Sequence, residues 1–113
     1  MKVRPAALII HNNHLLTLKY SYPNGIIYAL PGGNLEFGEE LESALKRELT
    51  EEITLDVEIG NVRYIAEVFH ENVNTIHFIF DSLSFEGVPT LNPLETKSEE
   101  IVWLPLENIQ DYL

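Results

Sequence analysis

The chain has 113 residues, 45% of them apolar, which suits one small domain with a single core and excludes a disordered tail. Seven Lys and Arg stand against 18 Asp and Glu, a net charge of −11 that repels a nucleic-acid backbone. Cys is absent, which removes a disulfide framework, a zinc ribbon and a thiol nucleophile.

The start MKVRPAALII is basic with a short apolar run, and His11-Asn12-Asn13 follows where a signal peptide would carry small residues. No segment reaches the length of a membrane span, so a soluble, cytoplasmic protein is expected. Residues 3–10 and 14–20 read as strands joined by a turn at His11-Asn12-Asn13. Residues 21–25 (SYPNG) read as a loop, and IIYAL follows as a short apolar piece ending at Pro31-Gly32-Gly33. Helical spacing runs from Glu39 to about Ile53. Beyond it, 55–59 alternates as a strand, Gly60-Asn61 reads as a turn, and 62–69 and 75–83 are longer strand candidates around a polar turn at Glu71 to Asn74. Residues 86–98 form a loop, 101–104 (IVWL) a last strand, and Leu106 onward the first turns of a helix. The pattern predicts one domain over residues 1–113, of α/β (α+β) class with a mixed sheet.

The helix carries the chemistry. On a wheel at about 100° per residue, Leu41, Ala44, Leu45 and Leu49 make one apolar face. Glu48 and Glu52 lie within that stripe and Glu51 at its edge, all near the C-terminal end. The helix dipole disfavours negative charge there, by about 0.3–1 kcal/mol per group. Like charges at i,i+3 and i,i+4 add a few tenths of a kcal/mol each. Lys46 and Arg47 project elsewhere on the wheel, so no cation next in sequence relieves them. Glu40 and Glu42, in the first turn and away from the leucines, read as a solvated face. Three carboxylates converging on one spot suit a hard divalent cation such as Mg²⁺ or Mn²⁺, which takes oxygen ligands and shares its shell with phosphates. The D-x-D-x-D-G spacing of an EF-hand is absent, which counts against a calcium-stabilised structural domain.

Upstream stands LPGGNLEFGEE, and a glycine pair before a helix allows a backbone to approach a ligand closely. From Gly33 the spacing to Glu39, Arg47-Glu48-Leu49, Glu51-Glu52 and Leu55 resembles the Nudix box, G-x5-E-x7-R-E-U-x-E-E-x-G-U, where U is a bulky aliphatic residue. Every fixed position matches except Thr54, which stands where the box has glycine. The leading strands, the ALPGG entry and the closing IVWLPLENI are also similar to the family, so the resemblance covers nearly the whole chain.

The resemblance implies a Nudix α/β/α sandwich around a mixed sheet. Its activity would be hydrolysis of a nucleoside diphosphate linked to another moiety, with Mg²⁺ or Mn²⁺ as cofactor. By position, Glu48, Glu51 and Glu52 would be the metal-binding glutamates, the Gly32 carbonyl a further ligand, and Glu39 and Arg47 the residues that orient the carboxylates. Glu48 or a downstream glutamate would be the base, and among Glu95, Glu99 and Glu100 the resemblance favours Glu99 as an added ligand. Arg4, Lys19 and Arg63, with the Gly33 backbone, are candidates for phosphate contact. Tyr28, Phe37, Tyr64 and Phe69 are candidates to stack on a base or to pack in the core. The four histidines have no ligand spacing.

ADP-ribose hydrolases of the family carry a proline where this chain has His70 and Glu71. Diadenosine polyphosphate hydrolases carry a tyrosine where it has Glu71 to Val73. Neither marker is present, which leaves nucleoside triphosphates and nucleotide sugars as candidate small-molecule substrates. A catalytically silent nucleotide or sugar-phosphate sensor is the alternative, and loss of box glutamates, its expected mark, is not seen. Glycine closing a helix usually takes a left-handed conformation that a β-branched residue dislikes, so Thr54 implies either another closing geometry or local strain. The family ends in a full helix where this chain has only Leu106 to Leu113, so a short or truncated C-terminal helix is expected, with a homodimer partner as one way to cover the exposed face.

Overall fold

The computed structural model describes residues 1–112. Three strands form a mixed sheet: β1 (Lys2–Leu8) lies parallel to β6 (Val73–Glu86), and β6 is antiparallel to β5 (Asp56–His70), in the order β1-β6-β5. A second, antiparallel sheet centres on β3 (His14–Tyr22). β7 (Glu100–Pro105) runs along one edge of β3, and β2 (Ile10–His11) and β4 (Gly25–Ala29) share the other. One helix, α1 (Leu41–Ile53), packs against β1 and β5. The architecture is the mixed α+β domain expected from the sequence. Among the described residues no helix is long and apolar enough to cross a membrane.

The core forms where the periodicities meet. Leu45, Leu49 and Ile53 from α1, Leu16 and Leu18 from β3, Ala7, Val57 and Phe80 from the mixed sheet, and Ile9 join one buried cluster. Each fully buried Leu or Ile contributes roughly 1.5–3 kcal/mol by leaving water. Asn12 and Asn13 both take positive φ between β2 and β3, and Glu71 and Asn72 do so between β5 and β6. Such paired left-handed residues match the twist of a tight hairpin, which is why both polar turns hold.

Several boundaries differ from the sequence reading. Of the strand expected at 55–59, residues 56–59 join 62–69 in one strand, β5, and Gly60-Asn61 falls within its irregular stretch, with register shifts between Glu58 and Tyr64. β6 is long enough to pair across the break, so the extra residues are absorbed as bulges rather than as a turn. The expected loop at 21–25 shrinks to Pro23-Asn24, because β3 runs on through Tyr22 to pair with Gly25. The helix starts at Leu41, so Glu39 stands before it. The C-terminal turns are 3-10 helix over Leu106–Tyr112, interrupted by non-helical Asn108. Leu113 lies outside the described residues.

Thr54 resolves its alternatives in favour of strain. It closes α1 in the left-handed region, at φ 57° and ψ 37°; its N–H donates to the Thr50 carbonyl at 3.1 Å and the Leu55 N–H to the Leu49 carbonyl at 3.3 Å. Its hydroxyl donates to the Thr90 carbonyl at 3.2 Å, so part of the cost is offset by a tie to the loop after β6. Thr54→Gly should remove the steric penalty and stabilise the protein by about 1 kcal/mol, raising the melting temperature by about 4 °C. A lower melting temperature in thermal unfolding would show that the Thr90 bond outweighs the strain.

Candidate active site

The segment after β4 is stitched to the free edge of β1. Ala7 N–H donates to the Pro31 carbonyl at 3.0 Å, Gly33 N–H to Pro5 at 3.3 Å and Leu35 N–H to Val3 at 3.0 Å. Two glycines permit the approach, for different reasons. A Cβ on Gly32 would stand 2.2 Å from the Pro5 carbonyl oxygen and 2.8 Å from Ala6 Cα. A Cβ on Gly33 would stand 2.2 Å from Glu48 Cδ. Gly32 thus lets backbone meet backbone, and Gly33 makes room for a carboxylate.

That carboxylate sits in a pocket of about 380 Å³ bounded by Arg4, Tyr20, Gly32, Gly33, Asn34, Glu36, Glu48 and Glu52. α1 brings Glu48 and Glu52 there because they are one turn apart on the face that also holds Leu45 and Leu49. Burial pushes the Glu52 carboxyl up to about 8, and the adjacent Glu48 carboxylate adds to the shift, against the opposing charge of Arg4. Arg4 donates to the Leu30 carbonyl at 3.2 Å. From β1 it is paired in register with His77 of β6, whose pKa is lowered by burial and by the Arg4 charge.

Arg47 is where the helical wheel misleads. Its Cβ projects away from the acidic stripe, yet its long side chain returns to it. The guanidinium donates to Glu39 through Nε at 2.8 Å and Nη2 at 2.9 Å. Its Nη1 stands 3.0 Å from Glu48, 3.1 Å from Glu51 and 3.7 Å from Glu36. One planar fork therefore fixes several carboxylates, a task a lysine could not perform. The bonds from Arg47, with a further one from the Glu36 N–H, hold Glu39 below the usual carboxylate range. The Glu39 partner in turn holds Arg47 firmly charged.

The other sequence-predicted residues are placed apart from this pocket. Lys19 is 3.6 Å from Glu99 and 3.8 Å from Glu100, and Glu99 also accepts from the Ser21 hydroxyl. Arg63 pairs with Asp81 at 3.2 Å on the mixed sheet. Tyr28 packs edge-on against Tyr112, while Phe37, Tyr64 and Phe69 are exposed. Tyr20, Asn34 and Glu36 line the pocket and were not singled out from the sequence. The alternation Leu16, Leu18, Tyr20 along β3 was the available signal for Tyr20.

The residues fit a divalent cation by their chemistry. Two adjacent carboxylates, one of them resisting ionisation, form an oxygen-only donor set whose repulsion a hard cation relieves. Gly33 leaves room for the Glu48 carboxylate itself. Glu48 and Glu52 line the pocket, and Glu51 stands beside them, sharing Arg47 Nη1 with Glu48 at 3.1 and 3.0 Å. Among the described residues no three His, Cys, Asp or Glu side chains are arranged, as they stand, to enclose an ion.

A family profile described as the NUDIX domain matches residues 1–113. The chain is 30% identical to a nucleoside triphosphatase, NudI, of Enterobacter sp. (strain 638), over 90% of this chain and 80% of that protein. It is similar in structure to a MutT protein from Methanosarcina mazei Go1, with a TM-score of 0.84 and 24% identity over 97% of this chain and 80% of that one. It is also similar to a MutT NUDIX hydrolase from Burkholderia pseudomallei, with a TM-score of 0.82 and 22% identity over 94% of this chain and 84% of that one.

Proposed function

The chain belongs to the Nudix family, and from that premise we propose that it hydrolyses a nucleoside diphosphate linked to another moiety, with a divalent cation held by Glu48, Glu51, Glu52 and the Gly32 carbonyl. It is a Nudix pyrophosphohydrolase, in a family whose members generally use divalent metals. Nucleoside triphosphates are the first substrates to test, because the NudI relative is named for that activity. The observation that carries the reading is the Glu48–Glu52 pair in one pocket with Arg4 and the Gly32-Gly33 backbone.

When bound, the cation supplies charge neutralisation at the diphosphate and makes water a better nucleophile. Glu48, Glu52 and Arg4 line the same pocket, so that Arg4 offers a positive charge to the phosphates beside the two carboxyl groups. A carboxylate oxygen of the Glu48–Glu52 pair takes the proton of the attacking water as the P–O bond breaks. Arg47 holds Glu48 and Glu51 in fixed geometry, and Glu39 holds Arg47.

Purified protein with millimolar Mg²⁺ or Mn²⁺ should release phosphate or pyrophosphate from at least one nucleoside triphosphate or nucleotide sugar, and EDTA should abolish the release. Millimolar Mg²⁺ should also raise the melting temperature, by about 1–2 kcal/mol of linkage at concentrations about tenfold above Kd. Tight nucleotide binding without turnover across such a panel would point instead to a sensor.

A further inference from the structure

By strand alternation, Leu16, Leu18, Tyr20 and Tyr22 share one face of β3. Leu16 and Leu18 are fully buried, Tyr20 packs on the margin of the core, and Tyr22 is 50% exposed. Across the ladder, Tyr20 pairs with Ile27 and Tyr22 with Gly25, and Ile27 is 54% exposed. The buried core thus stops at Leu18, while the same face of the sheet continues outward as two tyrosines and an isoleucine. The two tyrosine rings are nearly parallel, at 12° with centroids 6.3 Å apart.

Beyond them the tip of the β5–β6 hairpin approaches. Tyr22, Asn24, Ile27, His70 and Glu71 bound a cleft of about 540 Å³. The cleft does not stand alone, because Tyr20 also lines the pocket that holds Arg4, Gly33, Glu48 and Glu52. One aromatic wall therefore runs from the carboxylate pocket into the cleft.

We propose that this cleft seats the nucleobase of the substrate, stacked on the Tyr20–Tyr22 wall between the β3–β4 and β5–β6 hairpins. The proposal rests on the reading of the carboxylate pocket as the diphosphate site. A base has two apolar faces and a polar edge. The cleft offers the counterpart, with Tyr22 and Ile27 as an apolar wall and the Asn24 amide, His70 and Glu71 at its rim. His70 and Glu71 are 3.7 Å apart and so partly satisfy each other, and the cleft presents no strong positive charge to a second phosphate group. A neutral planar ring suits it better than a phosphate or a bare sugar. Stacking on aromatic rings tolerates every base, so the wall gives affinity and the rim groups give choice among bases.

The direct test uses metal-free protein in EDTA, titrated with AMP, GMP, CMP and UMP and, separately, with ribose 5-phosphate, while the tyrosine ring resonances are followed by NMR. Ring-current shifts at Tyr22 with at least one nucleotide, and none with ribose 5-phosphate, are the expected result. Equal shifts with ribose 5-phosphate, or none at Tyr22 with any nucleotide, would overturn the proposal. In turnover assays, Tyr22→Ala should raise KM for a nucleoside triphosphate about tenfold with a far smaller change in kcat, and Tyr22→Phe should recover most of the loss. Leu94→Ala, on the exposed loop after β6, is the control and should leave KM unchanged. A parent enzyme without nucleotide turnover contradicts the hydrolase reading. A parent with turnover and a Tyr22→Ala KM within twofold of it contradicts the base site alone.

Discussion

Glu52→Gln should abolish most turnover and, in the metal-free protein at alkaline pH, make the fold more stable. Both effects come from one fact, that the carboxyl is placed where ionisation is costly. Its pKa is raised from 4.5 to about 8, first by burial and then by Glu48. Between those values the folded chain keeps a proton that the unfolded chain has lost. Stability of the metal-free protein therefore falls as pH rises from about 4.5 through about 8. The contribution is fully present below the lower value and gone above the upper one. A glutamine has no charge to form, so the variant should lose this slope. Allowing for solvent screening of a partly exposed group, the gain near pH 8 is on the order of 1–2 kcal/mol. It should appear as a melting temperature about 4–8 °C higher in EDTA. With Mg²⁺ present the gain should shrink, since the parent then has a cation where the variant has a weaker ligand. Turnover should fall about 10²–10⁴-fold, the range for a group that serves proton transfer or charge stabilisation. Thermal scans from pH 5 to 9 check the first half and initial rates the second. A variant that melts below the parent at pH 8 in EDTA would falsify the assignment of a costly ionisation to Glu52.

The two glycines should part company when each is changed to alanine. In Gly32→Ala the new Cβ meets the Pro5 carbonyl and Ala6 Cα, both backbone in a buried strand. Neither can yield without shifting β1, so a loss of about 3 kcal/mol is expected, roughly 10 °C in melting temperature. In Gly33→Ala the obstacle is the end of a flexible side chain, the Glu48 carboxylate. That group can swing aside by giving up its Arg47 contact without moving the backbone, so stability should fall by only about 1 kcal/mol. Its displacement from Glu52 should nevertheless lower kcat/KM about 10²-fold, as small misplacements of reacting groups do. Equal loss of stability in the two variants would mean that Glu48 is held as rigidly as backbone. Unchanged activity in Gly33→Ala would remove Glu48 from the reaction.

Much of this was legible in the chain itself. The stripe Leu45, Glu48, Leu49, Glu52 is a property of helical periodicity, and the spacing from Gly33 to Leu55 needs no coordinates. The succession of elements along the chain and both Asn-containing turns follow from local pattern, because left-handed residues and alternation are short-range preferences. The helix begins at Leu41 rather than Glu39, and Gly60-Asn61 lies in a bulged stretch of β5 rather than in a turn. The unbroken length of β5 depends on which strand lies opposite, and local preference does not specify a partner.

The sequence by itself determined the chemistry: an acidic, cysteine-free domain with glutamates on the buried face of one helix and glycines ahead of it. Only the tertiary structure decided how those groups meet. It turned Arg47 back onto Glu39, Glu48 and Glu51, put Glu48 and Glu52 in one pocket with Arg4, and set Lys19, Glu99 and Arg63 in ion pairs elsewhere. It also left the aromatic end of β3 without a core to fill, facing a cleft. The reason is physical. Which residue types can bind a cation or stack on a ring is intrinsic to each side chain. Which of them come within about 3 Å of each other depends on long side chains and sheet packing that bring together residues far apart in the chain.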